Sequence, residues 1–196
     1  MNLLVSLLSK KSVWIIAAFV VCYAVSATVF QSVPSPLPVE FTVFASLMYL
    51  PHGVVVLAIM LFGWKALPAL IAGNLLGDLM FKPAVFVDDT ALMWVGPMCI
   101  AILSSYLAFE IFRHLGKNLY AADGVEIHWK QIVAVGTTAA IINAISQNIV
   151  FDKIFAVGHD KLVYWIYAIG NVWGLFILLV GLMLVFRWAR LFQRLS

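Results

Sequence analysis

The chain alternates long apolar runs with short polar joints. A helix needs roughly 20 mostly apolar residues to cross the hydrocarbon core of a bilayer. Six runs approach or exceed that length: 13–30, 40–62, 66–81, 91–112, 132–150 and 162–188. The pattern predicts an all-α, polytopic transmembrane bundle of six spans, built as one integral membrane domain over 1–196. The third run is short and would stand nearly upright or thin the bilayer around it. The second is interrupted near its middle by Pro51-His52-Gly53, so one helix is expected to break there. Pro34, Pro36 and Pro38 make the first joint a stiff, extended connector.

Composition supports the same picture. The chain is 64% hydrophobic and 11% charged, against about half and a quarter in soluble domains. Water would leave much of that apolar surface exposed and prone to aggregation, whereas lipid accommodates it. Lys10 and Lys11 before an apolar run, with Val25-Ser26-Ala27 after it, imitate a signal peptide. The run exceeds the usual apolar segment of such peptides, which predicts an uncleaved first span.

Basic residues set the expected orientation. With the N-terminus inside, Lys10, Lys11, Lys65, Arg113, Lys117, Lys130, Arg187, Arg190 and Arg194 lie on the cytoplasmic side. Lys82, Lys153 and Lys161 lie outside, so nine of the 12 basic residues are inside. Asp88, Asp89, Asp152 and Asp160 fall outside. Trp14, Trp64, Trp129 and Trp188 mark inner ends, and Trp94, Tyr164 and Trp165 mark outer ends. The expectation is an inner-membrane protein with both termini cytoplasmic, in contact with lipid. The basic tail from Arg187 to Arg194 reads as a stop-transfer flank. Across the chain the basic residues are spread over loops and form no stripe of the kind that binds nucleic acid.

Polar side chains inside the spans carry the functional signal, because lipid makes each of them costly without a partner. Asn74 and Asp78 share one face of span three, four residues apart. Asn143 and Gln147 do the same on span five, beside Asn148, and Asn171 stands on span six. His52 sits at the break in span two. Counted from the outer ends, His52, Asn74, Asn143 and Asn171 fall between the midplane and the outer third. Asp78 and Gln147 fall nearer the outer surface. These six residues are expected to form a ligand-binding pocket open to the periplasm, with His52 and Asp78 supplying charge and the amides hydrogen bonds. The competing expectation is that the amides only join helices, each bond contributing about 0.6 kcal/mol.

Small residues recur every four positions at Ala69, Gly73 and Gly77, and at Gly170 and Gly174. That spacing predicts close helix packing, which would bring Asn74 and Asn171 together. Glu110 is expected to pair with Arg113 one turn later. Cys22 and Cys99 read as core residues, so no metal site or cofactor is expected. H-E-x-x-H is absent and no intramembrane serine has a base beside it, so the chain is not expected to be an enzyme.

The run Leu50-Pro51-His52-Gly53, followed by apolar residues and closed by Phe62-Gly63-Trp64-Lys65, resembles the membrane-associated sensor domains called MASE, first class. Ala72-Gly73-Asn74-Leu75-Leu76-Gly77-Asp78 is similar to that family's following span. Ile169-Gly170-Asn171-Val172-Trp173-Gly174-Leu175 resembles its Gly-Asp-x-x-Gly segment, with Asn171 in place of the acid. Members usually have about eight spans and a cytoplasmic kinase or cyclase domain. The resemblance therefore implies a freestanding sensor module that signals to a membrane protein partner or acts as a homo-oligomer. Two alternatives stay open. One is a small-solute transporter subunit like the substrate component of energy-coupling-factor importers. The other is a non-catalytic accessory or assembly subunit of a membrane complex.

Overall fold

The computed structural model describes residues 9–30, 48–81, 91–153 and 161–195, and every regular element among them is helical. Helix α1 is Lys10–Val25, continued by a π-helical turn at Ser26–Phe30. Then come α2 (Leu50–Phe62), α3 (Leu67–Phe81), α4 (Ala91–His114), α5 (Trp129–Lys153) and α6 (Lys161–Leu195). Five helical stretches of 20 to 32 residues are long and apolar enough to cross a membrane. Six runs were expected; the count is five because the second and third are joined in one stretch, Leu50–Phe81. The proline-rich connector at 31–38 and four of the residues expected outside, Lys82, Asp88, Asp89 and Asp160, lie outside the described residues.

The joint between α2 and α3 is a 3₁₀ turn at Gly63–Ala66. Gly63 ends α2 at φ 57°, ψ −141°, a conformation that a Cβ would oppose. His52 in α2 and Asn74 in α3 line the same cavity, whereas a straight helix would set them about 33 Å apart. The chain folds back at Gly63.

The break expected at Pro51–Gly53 is not seen. Helix α2 runs through all three residues, with Pro51 in its first turn. Proline is tolerated there because the first N–H groups of a helix have no partner within it. Met48 and Tyr49 just before are not helical, and 40–47, the earlier part of the expected span, lies outside the described residues. Thus α2 starts inside the bundle, and its 13 residues reach only about 20 Å, less than a bilayer core.

A buried helix start must find outside partners for its donors. The Tyr49 N–H donates to the Gly170 carbonyl at 3.0 Å, and the Leu50 N–H donates to Ser26 Oγ at 3.1 Å. The close approach to α6 depends on Gly174, where a Cβ would strike the Tyr49 carbonyl. The sequence of α2, Leu-Pro-His-Gly-Val-Val-Val-Leu-Ala-Ile-Met-Leu-Phe, is apolar on all sides, as suits a central helix. Nine of its 13 residues are buried.

The other helices pack around α2. Helix α1 rests on α2 and α3, α6 on α2 and α5, and α5 on α4. Phe19, Val56, Ile59, Leu70, Ile102, Phe109, Val135 and Leu175 fill one continuous core. The outer surface is also apolar: Leu103, Leu107, Ile141, Ile145, Trp165, Ile169 and Trp173 are exposed. A monomer in water would not carry such a surface; a bilayer matches it.

Candidate functional site

Four of the six expected site residues meet. His52 from α2, Asn74 from α3, Asn143 from α5 and Asn171 from α6 line one cavity, with Phe19, Tyr49, Val55, Ala101, Ile102 and Tyr167. All six helices therefore contribute a wall. The cavity has about 10 Å³ of room, the space of a single water.

The short-range partners of these side chains differ. His52 Nε2–H donates to the Gly136 carbonyl of α5 at 3.1 Å. A carbonyl only accepts, so Nε2 carries the hydrogen and Nδ1 is the remaining ring acceptor. Asn143 Oδ1 accepts from Gln147 Nε2 at 3.3 Å, one turn along α5. Asn171 is 1% exposed, and neither Oδ1 nor Nδ2 of its amide has a hydrogen-bond partner. A buried polar group left unpaired costs about 1–3 kcal/mol, so native structures rarely keep one without a reason.

The structure separates the other two expected residues from this cavity wall. Gln147 is buried above it and donates to the Pro97 carbonyl at 2.8 Å, tying α5 to α4. Asp78 is half-buried and accepts from the Tyr23 hydroxyl at 2.5 Å, tying α3 to α1. The Tyr23 ring meets Tyr49 edge-on and lies beside Phe19, both residues of the cavity wall. Asp78 thus stands one layer behind the cavity.

Sequence reasoning missed the three tyrosines. Tyr23, Tyr49 and Tyr167 sit in apolar runs, where a phenol reads as ordinary filling. Their hydroxyls gain meaning only from what they face. The small-residue pattern is seen at work, though on separate neighbours. Gly73 and Gly77 lie against Phe19 and Tyr23 of α1, while Gly174 receives the start of α2. Asn74 and Asn171 therefore share the cavity without α3 and α6 forming a common seam.

At the other end of the bundle, Glu110 makes the expected ion pair with Arg113 at 3.5 Å. It has a second partner: the Tyr120 hydroxyl donates to Glu110 Oε1 at 2.7 Å, and its ring stacks on Phe109. Among the described residues no three His, Cys, Asp or Glu side chains gather as metal ligands would.

No family model, no curated protein and no solved structure matches the chain.

Proposed function

We propose that this chain is an inner-membrane module of six crossings, with both ends cytoplasmic, that binds a small polar ligand in the outer half of the bundle. The observation that carries it is the Asn171 amide, buried and unpaired on a cavity it shares with His52, Asn74 and Asn143. Amides that served only as glue between helices would be bonded across them, as Gln147 of α5 is to the Pro97 carbonyl of α4. The fold-back at Gly63 supports counting Leu50–Phe81 as two crossings. A helix that begins inside the bundle, as α2 does, is also what membrane proteins use to build binding sites, because irregular backbone there lines a cavity.

The sensor role rests on the resemblance to the membrane-associated sensor family at 50–65, 72–78 and 169–175. In that role, occupancy of the pocket shifts the helices and a membrane partner reads the shift. The test is purification from native membranes in mild detergent, with wild type and Asn171→Leu in parallel. Recovery of a kinase or cyclase, changed in the variant, supports sensing. Recovery of two ATPases and a scaffold subunit assigns the pocket to solute import instead. A large stoichiometric complex unaffected by the substitution refutes the pocket and makes the chain an assembly subunit.

A further inference from the structure

The class of the occupant can be argued from the wall of the cavity, and the inference rests on the pocket proposed above. No lysine or arginine lines the space. The backbone donors at the start of α2 are already spent. Tyr49 N–H donates to Gly170, Leu50 N–H to Ser26 and His52 N–H to the Tyr49 carbonyl; Pro51 has none. An anion would find neither a counter-charge nor a free backbone N–H at that helix end, the two things that normally make such an end attractive to anions, and the unpaired Asn171 amide nitrogen is a neutral donor.

Oxygen acceptors are plentiful instead. The lining residues carry three amide groups, on Asn74, Asn143 and Asn171, and two phenols, on Tyr49 and Tyr167. Asn171 Oδ1 is buried with nothing bonded to it. Hard cations take such oxygens. Among the described residues, the wall is backed by a negative charge: Asp78, held by Tyr23, whose ring packs against Tyr49 and Phe19. One carboxylate balances one positive charge, whereas divalent sites draw on several carboxylates. No such cluster exists among the described residues. Room for a single water-sized body excludes an organic solute in this arrangement of the helices.

We propose that the cavity holds one dehydrated monovalent cation, of the alkali class, coordinated by Asn171 Oδ1 and the neighbouring amide and phenolic oxygens. Asp78 supplies the balancing charge from one layer behind. The amide makes Asn171 the selective ligand, and the carboxylate makes Asp78 the reason that a charge is tolerated at this depth.

The experiment uses the whole purified chain in mild detergent at fixed ionic strength. Thermal midpoints are measured in sodium, potassium and choline chloride, and bound radioactive sodium is counted by equilibrium dialysis. A rise of about 3 °C or more in sodium or potassium over choline is expected when the ion is well above its dissociation constant. One ion should bind per chain. Asn171→Leu and Asp78→Asn should each remove both effects. Equal midpoints in the three salts with no ion bound overturn the cation, and a single internal water then fills the space. The wild-type dialysis stands even if a variant fails to fold. The pocket is judged separately: if Asn171→Leu still alters partner recovery in native membranes, the pocket survives and only its occupant is wrong.

Discussion

The backbone N–H of Tyr49 donates to the carbonyl of Gly170 at 3.0 Å, so the first turn of α2 hangs on the backbone of α6. The contact leaves no space at Gly174, one turn further along α6. Gly174→Ala would place a methyl group on the Tyr49 carbonyl and force the two helices apart. The expected cost is about 1–3 kcal/mol, as for other overpacked sites. It should be seen as a lower thermal midpoint, larger than the effect of alanine at Gly181, which faces open space.

Tyr23 and Asp78 join α1 to α3 by a charge-assisted bond. Tyr23→Phe keeps the ring packing against Tyr49 and Phe81 but strips the donor. A loss of about 1.5–3 kcal/mol is expected for a hydrogen bond to a charged group. A double-mutant cycle with Asp78→Asn checks it; additive losses would mean that the two side chains do not interact.

Asn171→Leu has the opposite sign. The unpaired amide lowers the stability of the empty protein, and leucine of similar volume removes that cost. The variant is expected to melt at or above the wild-type midpoint in choline chloride while losing its response to ligand. Stability gained and function lost together distinguish a binding residue from a structural one. A variant that melts well below wild type would mark Asn171 as structural.

The fold-back at Gly63 predicts a topology. A reporter inserted at Trp64–Lys65 should report from the same side of the membrane as reporters at the two termini. If Leu50–Phe81 crossed only once, that reporter and the C-terminal one would lie on sides that disagree with six crossings.

Outside the membrane, Tyr120 predicts a pH effect. Burial, and then the hydrogen bond and charge of Glu110, raise its phenol above the ordinary value. A group whose folded pKa is raised favours the folded chain while it stays protonated. Its contribution is complete below about pH 10, the value in unfolded chains, and fades as pH rises beyond. Thermal midpoints between about pH 8 and 11 should fall more steeply in wild type than in Tyr120→Phe. Parallel curves would show that Tyr120 contributes nothing to alkaline unfolding.

The apolar runs announced the helices because lipid demands that every span be continuous and internally bonded. The polar site was partly visible for the same reason: His52, Asn74, Asn143 and Asn171 are conspicuous in runs of valine and leucine. What the sequence did not disclose was three-dimensional. Pro51 predicts a break because proline opposes a helix interior, yet it is also welcome in a first turn, and local sequence does not separate the two. Asp78 was read as a wall of the pocket because it shares a face with Asn74. The structure instead turns it towards Tyr23, a pairing 55 positions apart in the chain. Tyr120 lies only 10 positions from Glu110, but a phenol in a loop gives no sign of which acid it will meet.

Helix α6 runs unbroken through 35 residues, carrying Asn171 in its first half and Arg187 and Arg190 near its C-terminal end. From Asn171 to Arg190 the axial distance is about 29 Å, with no proline or hinge to absorb a rotation. Whatever turns the helix at the cavity must swing the basic end by the same angle. The molecule therefore carries its own driveshaft, one end at the cavity and the other at the basic residues that close the helix.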